Sequence, residues 1–308
     1  MEAIAKLQNT AFRDIRRTTI DAFDAHLENN RQRIEAVPRK TFTYGATPRH
    51  KLDVYYPPTT TNAPLLIFAY GDGFNTGDRS FPAPSLVHAN LGAFFAARGF
   101  LTVIPDYRHA PPARYPEPAR DVRDAALWAL CHAAKIGAPV LGRPFGGRGP
   151  HRDRLSRPRA PRGGRRRARD VEGERAEGRA GGFPAGALQV QQPAGVEALL
   201  NTYYGGDEAV LEKRPLGLLG TASAEVLRAL PEMAFVEGER EPDELLKTAG
   251  NFRVLLDRRL GEVGGGAAGW TTSKHVVAKG HNHISVPRAP SSGEGEQWAE
   301  EIALYLLQ

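Results

Sequence analysis

The hydrophobic positions of the chain follow two spacings, which predict helices and buried strands in turn. Over residues 1–36, apolar side chains recur every three to five residues with charges between them, as in amphipathic helices. Residues 52–56 form a strand candidate that two prolines stop, and residues 64–70 and 100–104 are nearly continuous apolar runs, as in strands buried on both faces. Helical spacing returns in two segments, residues 85–98 and 119–134.

The same alternation resumes in the last third of the chain. Because strands joined through helices pair in parallel by right-handed crossovers, it predicts an α/β fold with a doubly wound, mostly parallel sheet. We divide the chain into a helical N-terminal cap, residues 1–36, and an α/β domain, residues 37–308. The later predicted elements are helices at 196–204, 243–260 and 294–307 and strands at 232–237 and 274–277.

No apolar run approaches the roughly 18 to 20 residues that a membrane-spanning helix needs. Residues 1–17 mix charges throughout instead of showing the apolar core of a signal peptide. We therefore expect a soluble, cytoplasmic protein. Cys131 is the only cysteine, which excludes a disulfide framework and a cysteine-based zinc site within the chain, and we expect no metal and no cofactor.

One segment accounts for the basic character of the chain. Between Arg143 and Gly182 there are 13 arginines and five acidic residues, a surplus that exceeds the net charge of +6 and leaves −2 elsewhere. Arginine, proline, glycine and alanine dominate residues 143–183, and sizeable apolar residues are few. Such a segment cannot bury enough surface to offset its ordering entropy, so we predict a disordered or mistranslated tract there.

A glycine-containing turn, Tyr70-Gly71-Asp72-Gly73-Phe74, directly follows the predicted strand at 64–70. Glycines let a backbone approach a reacting carbonyl closely, although such a sequence is often only a turn. The placement resembles the oxyanion loop of lipases and esterases. By that resemblance the backbone N–H groups of Asp72, Gly73 and Phe145 hold the oxyanion; the Asp72 carboxylate would oppose it unless the side chain points away.

Two further motifs make the resemblance specific. Asp106-Tyr107-Arg108 is followed by prolines, and Asp121 and Trp128 stand at a spacing of seven in the next predicted helix. This pattern resembles the hormone-sensitive-lipase-like α/β-hydrolases, including fungal kynurenine-formamidase-like members. The resemblance implies that these residues brace the oxyanion loop. It also implies a small-molecule substrate, a carboxylic ester or an amide such as an N-formyl group.

The acid and the base of such an enzyme have candidates near the last two predicted strands. By the resemblance, Glu241 is the orienting carboxylate, with Asp243 in reserve; Asp243 also suits the N-cap of the following helix. His283 is the favoured general base and His281 the alternative. Two histidines at this spacing could also ligate a metal, but no further ligand cluster accompanies them in the sequence.

The nucleophile is where the pattern fails. Gly142 to Gly147 has the glycines of a nucleophile elbow, but Pro144 stands at the serine position. Proline has no nucleophilic atom and no N–H, and its ring forbids the strained φ of an elbow residue. Ser156 lies inside the arginine tract without strand or turn context. The resemblance therefore predicts that the chain derives from a serine-type hydrolase. Because Pro144 replaces the serine, we expect this chain to be inactive.

Three explanations of the tract remain open at this point. The leading one is translation in the wrong frame, or a mis-spliced junction, within a GC-rich gene. A second is a pseudoenzyme scaffold. The third is a real arginine tract that binds nucleic acid or another polyanion, which the lack of interleaved aromatic residues disfavours. The sequence does not predict an oligomeric state.

Overall fold

The computed structural model describes residues 1–71, 73–137 and 200–308. Four strands form one sheet in the order β1-β2-β4-β3, and two more form a parallel pair, β5-β6. β2 runs antiparallel to both β1 and β4, whereas β3 and β4 are parallel. The strands are β1 (Arg39–Thr43), β2 (Lys51–Tyr55), β3 (Leu65–Ile67), β4 (Leu101–Pro105), β5 (Ala234–Gly238) and β6 (Lys274–Ala278).

Helices connect the parallel strands. α4 joins β3 to β4, and α9 joins β5 to β6, so both parallel pairs are made by helical crossovers. Residues 200–204 are also helical. The helices are α1 (Glu2–Ala5), α2 (Phe12–Asn29), α3 (Arg31–Glu35), α4 (Ala89–Ala97), α5 (Glu117–Cys131), α6 (Asp207–Lys213), α7 (Pro215–Thr221), α8 (Ala224–Arg228), α9 (Asp243–Val263) and α10 (Gln297–Leu306).

The core lies on both faces of the central strand β4, which is buried along its whole length. On one face Ile104 packs in a cluster with residues of α4 and α10, to which Val276 of β6 also belongs. On the other face Leu101 and Val103 pack against Ala125 and Ala129 of α5. Successive strand residues thus supply two helix-covered layers, as the nearly continuous apolar run at 100–104 predicts.

α4 approaches the sheet very closely through Gly92. A β-carbon at this position would lie 2.5 Å from the ring of Tyr55, which is itself buried in β2. The predicted strands and long helices recur in the structure with ends shifted by up to four residues. β1 and the short helices α6 to α8 were not predicted. The predictions for residues 138–199, including the elbow and the tract, lie outside the described residues.

In the described part of the chain, no helix has the length and apolar character needed to cross a membrane.

Candidate active site

The predicted base and acid are brought together by the two loops that follow β5 and β6. Because these strands are adjacent and parallel, their carboxyl ends lie at the same edge. His283 Nδ1 lies 2.9 Å from Glu241 Oε2. Glu241 Oε1 accepts a hydrogen bond of 3.2 Å from the backbone N–H of Gly238, and the glutamate is only 7% exposed. The histidine side chain is 51% exposed, so its ring can be reached from solvent.

Backbone hydrogen bonds fix the two loops to each other. The N–H of Arg240 donates to the carbonyl of His281 at 2.8 Å, and the N–H of Glu239 donates to the carbonyl of Ala278 at 3.0 Å. The side chain of Glu239 reaches back to accept from the N–H of Gly280 at 2.8 Å. The distance between the carboxylate and the imidazole is therefore set by backbone contacts as well as by their own hydrogen bond.

The hydrogen bond to Glu241 also fixes the tautomer of the neutral His283 imidazole. A carboxylate accepts hydrogen bonds, so the proton of a neutral His283 lies on Nδ1 and the lone pair on Nε2. Asp243, the reserve candidate, is the first residue of α9, and the N-cap position belongs to Pro242. The expectation that Asp243 is the N-cap is therefore wrong. Its charge lies in the first turn, where the helix dipole favours a carboxylate.

His281 has a different environment from His283. It is almost fully buried, with Nε2 2.8 Å from the carbonyl of Gly295 and Nδ1 2.9 Å from the hydroxyl of Ser285. Because a carbonyl only accepts, the proton of the neutral ring lies on Nε2. Burial lowers the pKa of His281 below its ordinary value of 6.5. A β-carbon at Gly295 would lie 2.2 Å from His281 Nε2, so glycine is required for this approach.

The turn after β3 is tied at both ends to the loop after β4. The Tyr107 hydroxyl lies 2.9 Å from the carbonyl of Tyr70 and 2.7 Å from that of Gly71. At the other end, the N–H of Ala110 donates to the carbonyl of Phe74 at 2.7 Å. Within the turn, Gly73 has a φ of 63°, a left-handed conformation that glycine adopts without strain.

A buried carboxylate supports the same turn. Asp106 accepts from the Tyr70 hydroxyl at 2.9 Å and from the backbone N–H of Arg79 at 2.6 Å, and it forms an ion pair with the Arg79 guanidinium. Burial and the neighbouring Asp106 carboxylate raise the pKa of Tyr70. The tyrosine therefore stays protonated and donates to Asp106.

Arg49, in the turn between β1 and β2, connects the remaining parts of this region. Its Nε donates to the carbonyl of Tyr107 at 2.8 Å and its Nη1 to Asp78 at 3.0 Å. Its Nη2 lies 2.8 Å from the Tyr70 hydroxyl and 3.0 Å from the carbonyl of Gly77. One guanidinium thus contacts Tyr70, Gly77 and Asp78. The sequence did not reveal this role, because β1 was not predicted.

Arg108 fixes the loop after β4 to α5. Its Nε and Nη2 each donate to a different oxygen of Asp121 at 2.8 Å, and Nη1 donates to Glu117 at 2.8 Å. Burial alone would raise the pKa of Asp121, but the hydrogen bonds from Arg108 outweigh it and hold the pKa below the usual value. Both members of this bidentate pair belong to the sequence motifs identified above.

Of the predicted site residues, the structure brings Glu241 and His283 together, places His281 and Asp243 nearby in other roles, and holds Gly73 in a braced turn. Asp72, Pro144 and Phe145 lie outside the described residues. Within residues 1–71, 73–137 and 200–308, no group of three or more His, Cys, Asp or Glu side chains is arranged to hold a metal ion.

Comparisons with known proteins point in one direction. A family model described as BD-FAE matches residues 52–139. Esterase LipC of Mycobacterium tuberculosis is 33% identical over 103 residues, which make up 33% of this chain and 24% of that protein. The chain thus aligns with about a quarter of the curated relative that it matches.

Solved structures of esterases resemble the chain over most of its length. A thermostable esterase from Pseudomonas putida ECU1011 has a TM-score of 0.54 at 17% identity, covering 93% of this chain and 89% of that one. Carboxyl esterase 2 from the mycorrhizal fungus Tuber melanosporum has a TM-score of 0.51 at 16% identity, covering 86% of each. At these identities the likeness shows the fold: the chain shares its α/β fold with these esterases.

Proposed function

We propose that this chain carries the acyl-transfer scaffold of a carboxylic ester hydrolase, with His283 as general base and Glu241 as the carboxylate that orients it. The observation that carries the proposal is the 2.9 Å contact between His283 Nδ1 and Glu241 Oε2. Serine-type hydrolysis needs an imidazole held in one tautomer by a carboxylate, with the other ring nitrogen open to the nucleophile.

The chemistry of the base follows from the fixed tautomer. Nε2 of His283 would take the proton of an attacking hydroxyl and later return it to the leaving group. The charged imidazolium formed in between is stabilised by Glu241, which is largely shielded from water and therefore interacts more strongly than an exposed carboxylate would. Glu241 is also held by the N–H of Gly238, so its oxygen stays aimed at Nδ1.

His283 is the better candidate for the base than His281. Both ring nitrogens of His281 lie within hydrogen-bond distance of other groups, and burial lowers its pKa, which disfavours the protonated ring that a general base must form. Taking up a proton on Nδ1 would place a charge in a buried position that holds no carboxylate partner for it among the hydrogen bonds described. His281 therefore serves the packing of the loop that carries His283.

The oxyanion would be held by the backbone N–H groups of Asp72 and Gly73, in the turn after β3, and of Phe145, next to the nucleophile position. Gly73 is the member of this set that the structure describes. Support comes from the bracing of the turn, because donors that are fixed before the reaction stabilise developing charge without reorganisation. Tyr107, Asp106 and Arg49 supply that bracing through the contacts described above.

The substrate class that fits this scaffold is a small carboxylic ester, with an amide such as an N-formyl group as the alternative. The nucleophile position, however, is occupied by Pro144. We therefore propose that this polypeptide does not form an acyl-enzyme intermediate. The arginine-rich residues that follow would be the product of a shifted reading frame rather than an evolved extension.

The nucleotide sequence between codons 142 and 196 tests this account. We expect one of the two other frames to encode Gly-x-Ser-x-Gly followed by an apolar helix. The chain read in that frame should hydrolyse p-nitrophenyl acetate, and its Glu241→Gln and His283→Ala variants should lose about 10²-fold or more of kcat. If neither frame encodes such an elbow, the frame explanation is wrong, and a pseudoenzyme scaffold or a polyanion-binding arginine tract remains. If Glu241→Gln and His283→Ala retain full kcat, the proposed roles are wrong.

A further inference from the structure

Asn282, the residue between the two histidines, makes hydrogen bonds through both the oxygen and the nitrogen of its side-chain amide. Asn282 Oδ1 accepts from the backbone N–H groups of Ile284 and Ser285 at 3.0 and 3.1 Å, which sets the turn after His283. Its Nδ2 donates to Thr19 Oγ1 at 2.9 Å. Both side chains are buried, with 1% of Asn282 and none of Thr19 exposed. The turn that carries His283 is thus attached to a residue 263 positions earlier in the chain.

Thr19 is the polar member of an otherwise apolar buried face of α2. The other buried residues of that helix are Ile15, Phe23 and Leu27, spaced four apart with Thr19 between the first two. A hydroxyl on such a face costs free energy unless it has a hydrogen-bond partner. Asn282 supplies that partner, so the sequence carries a polar residue where packing alone favours an apolar one.

α2 also contacts the residues on either side of Asn282. The ring of Phe12, the first residue of the helix, meets the ring of His283 edge-on, with centroids 5.2 Å apart and planes at 73°. The ring of Phe23 lies 6.1 Å from that of His281. Three consecutive residues of the histidine loop therefore face one helix.

We propose that Thr19 is a positioning residue for His283: it holds Asn282, and Asn282 fixes the turn that presents the imidazole to Glu241. Phe12 limits rotation of the ring from its other side. The inference rests on the proposed function only in taking His283 as the base. The tautomer of His283 can be measured without any substrate. A failure of the positioning role of Thr19 is therefore distinguishable from a failure of the proposed esterase chemistry.

The test is nitrogen NMR of the full-length chain with ¹⁵N-labelled histidine rings. In the parent protein we expect His283 to be protonated at Nδ1 and not at Nε2. Thr19→Val keeps the shape of the side chain but removes the acceptor for Asn282, and it should shift most of the His283 population away from the Nδ1-protonated form. Thr19→Ser keeps the hydroxyl and should restore the parent spectrum.

His275 is the internal control. His275 lies in β6, and its Nε2 is 2.7 Å from a carboxylate oxygen of Glu237 in β5. Neither residue belongs to the Asn282 turn, so the ring signals of His275 should be the same in all variants. If Thr19→Val does not fold, Thr19→Ala removes the same acceptor with a good helix-forming residue. The proposal is overturned if a folded Thr19→Val or Thr19→Ala protein keeps the parent tautomer at His283, or if His275 changes together with His283.

Discussion

Gly238 and His281 approach each other so closely that a β-carbon on the glycine would lie 2.6 Å from the carbonyl oxygen of the histidine. Gly238 ends β5, and its N–H also donates to Glu241. The same glycine therefore permits the contact between the two loops and orients the carboxylate. The position of Glu241 relative to His283 therefore depends on residue 238 having no β-carbon.

Gly238→Ala should consequently weaken the fold and separate the pair. A clash with backbone has no flexible side chain to relieve it, so we expect a loss of about 1–3 kcal/mol in the free energy of unfolding. Gly250→Ala is the matched control, because Gly250 lies inside α9 and its added β-carbon would have no atom within 4 Å apart from the backbone of its own helix and its chain neighbours. It should stabilise the protein by up to about 1 kcal/mol. Urea unfolding measures the free energy of unfolding of both variants. Equal effects would show that Gly238 is not packed tightly against the His281 carbonyl.

Arg49→Lys should loosen the turn after β3 although the charge is kept. Lysine has a single ammonium group and cannot reach Tyr107, Asp78 and Gly77 at once. We expect destabilisation of about 1–3 kcal/mol and faster hydrogen exchange of the backbone amides of residues 73–79. Arg16→Lys, on the exposed side of α2, should change stability by less than about 0.5 kcal/mol. Unchanged exchange in Arg49→Lys would show that the guanidinium does not brace this segment.

Acidification should destabilise the fold partly through His281. Its pKa is lowered by burial in the folded state, so below about pH 6.5 the unfolded chain binds the proton more readily than the folded one. Stability from this group is present above the unfolded pKa and is lost as the pH falls toward the folded pKa. The slope cannot exceed about 1.4 kcal/mol per pH unit for one proton.

Urea unfolding between pH 5 and 8 isolates that contribution when the parent is compared with His281→Gln. The variant should be less stable at every pH because it disturbs the contacts with Gly295 and Ser285, but its stability should depend less on pH below about 6.5. Parallel curves for the two proteins would show that His281 is not the group that titrates.

The sequence predicts the parts of this fold in which one segment carries its own signal. The apolar run at 100–104 predicts β4, whose residues pack on both faces of the sheet. β1 has no such signal, because four of its five residues are exposed and it is defined by pairing with β2. Helices α6 to α8 were missed for a similar reason: they are only five to seven residues long.

The candidate site likewise contains residues that the sequence identifies and contacts that only the structure reveals. Resemblance to a known family singled out Glu241 and His283, but no pattern in the sequence indicates that Thr19 contacts Asn282 or that Arg49 reaches Tyr107. Those contacts join segments far apart in the chain, and each partner looks like an ordinary polar residue in its own segment. Only the folded backbone shows that the histidine loop depends on α2.

Pre-steady-state hydrolysis of p-nitrophenyl acetate, measured together with the intact mass of the protein, tests whether this polypeptide can form an acyl-enzyme. An esterase scaffold with proline at the nucleophile position should release no burst of p-nitrophenolate and gain no acyl group, with turnover several orders of magnitude below that of an intact triad. A burst close to one equivalent per chain, accompanied by a stable acyl adduct, would show that the chain holds a working nucleophile in spite of Pro144.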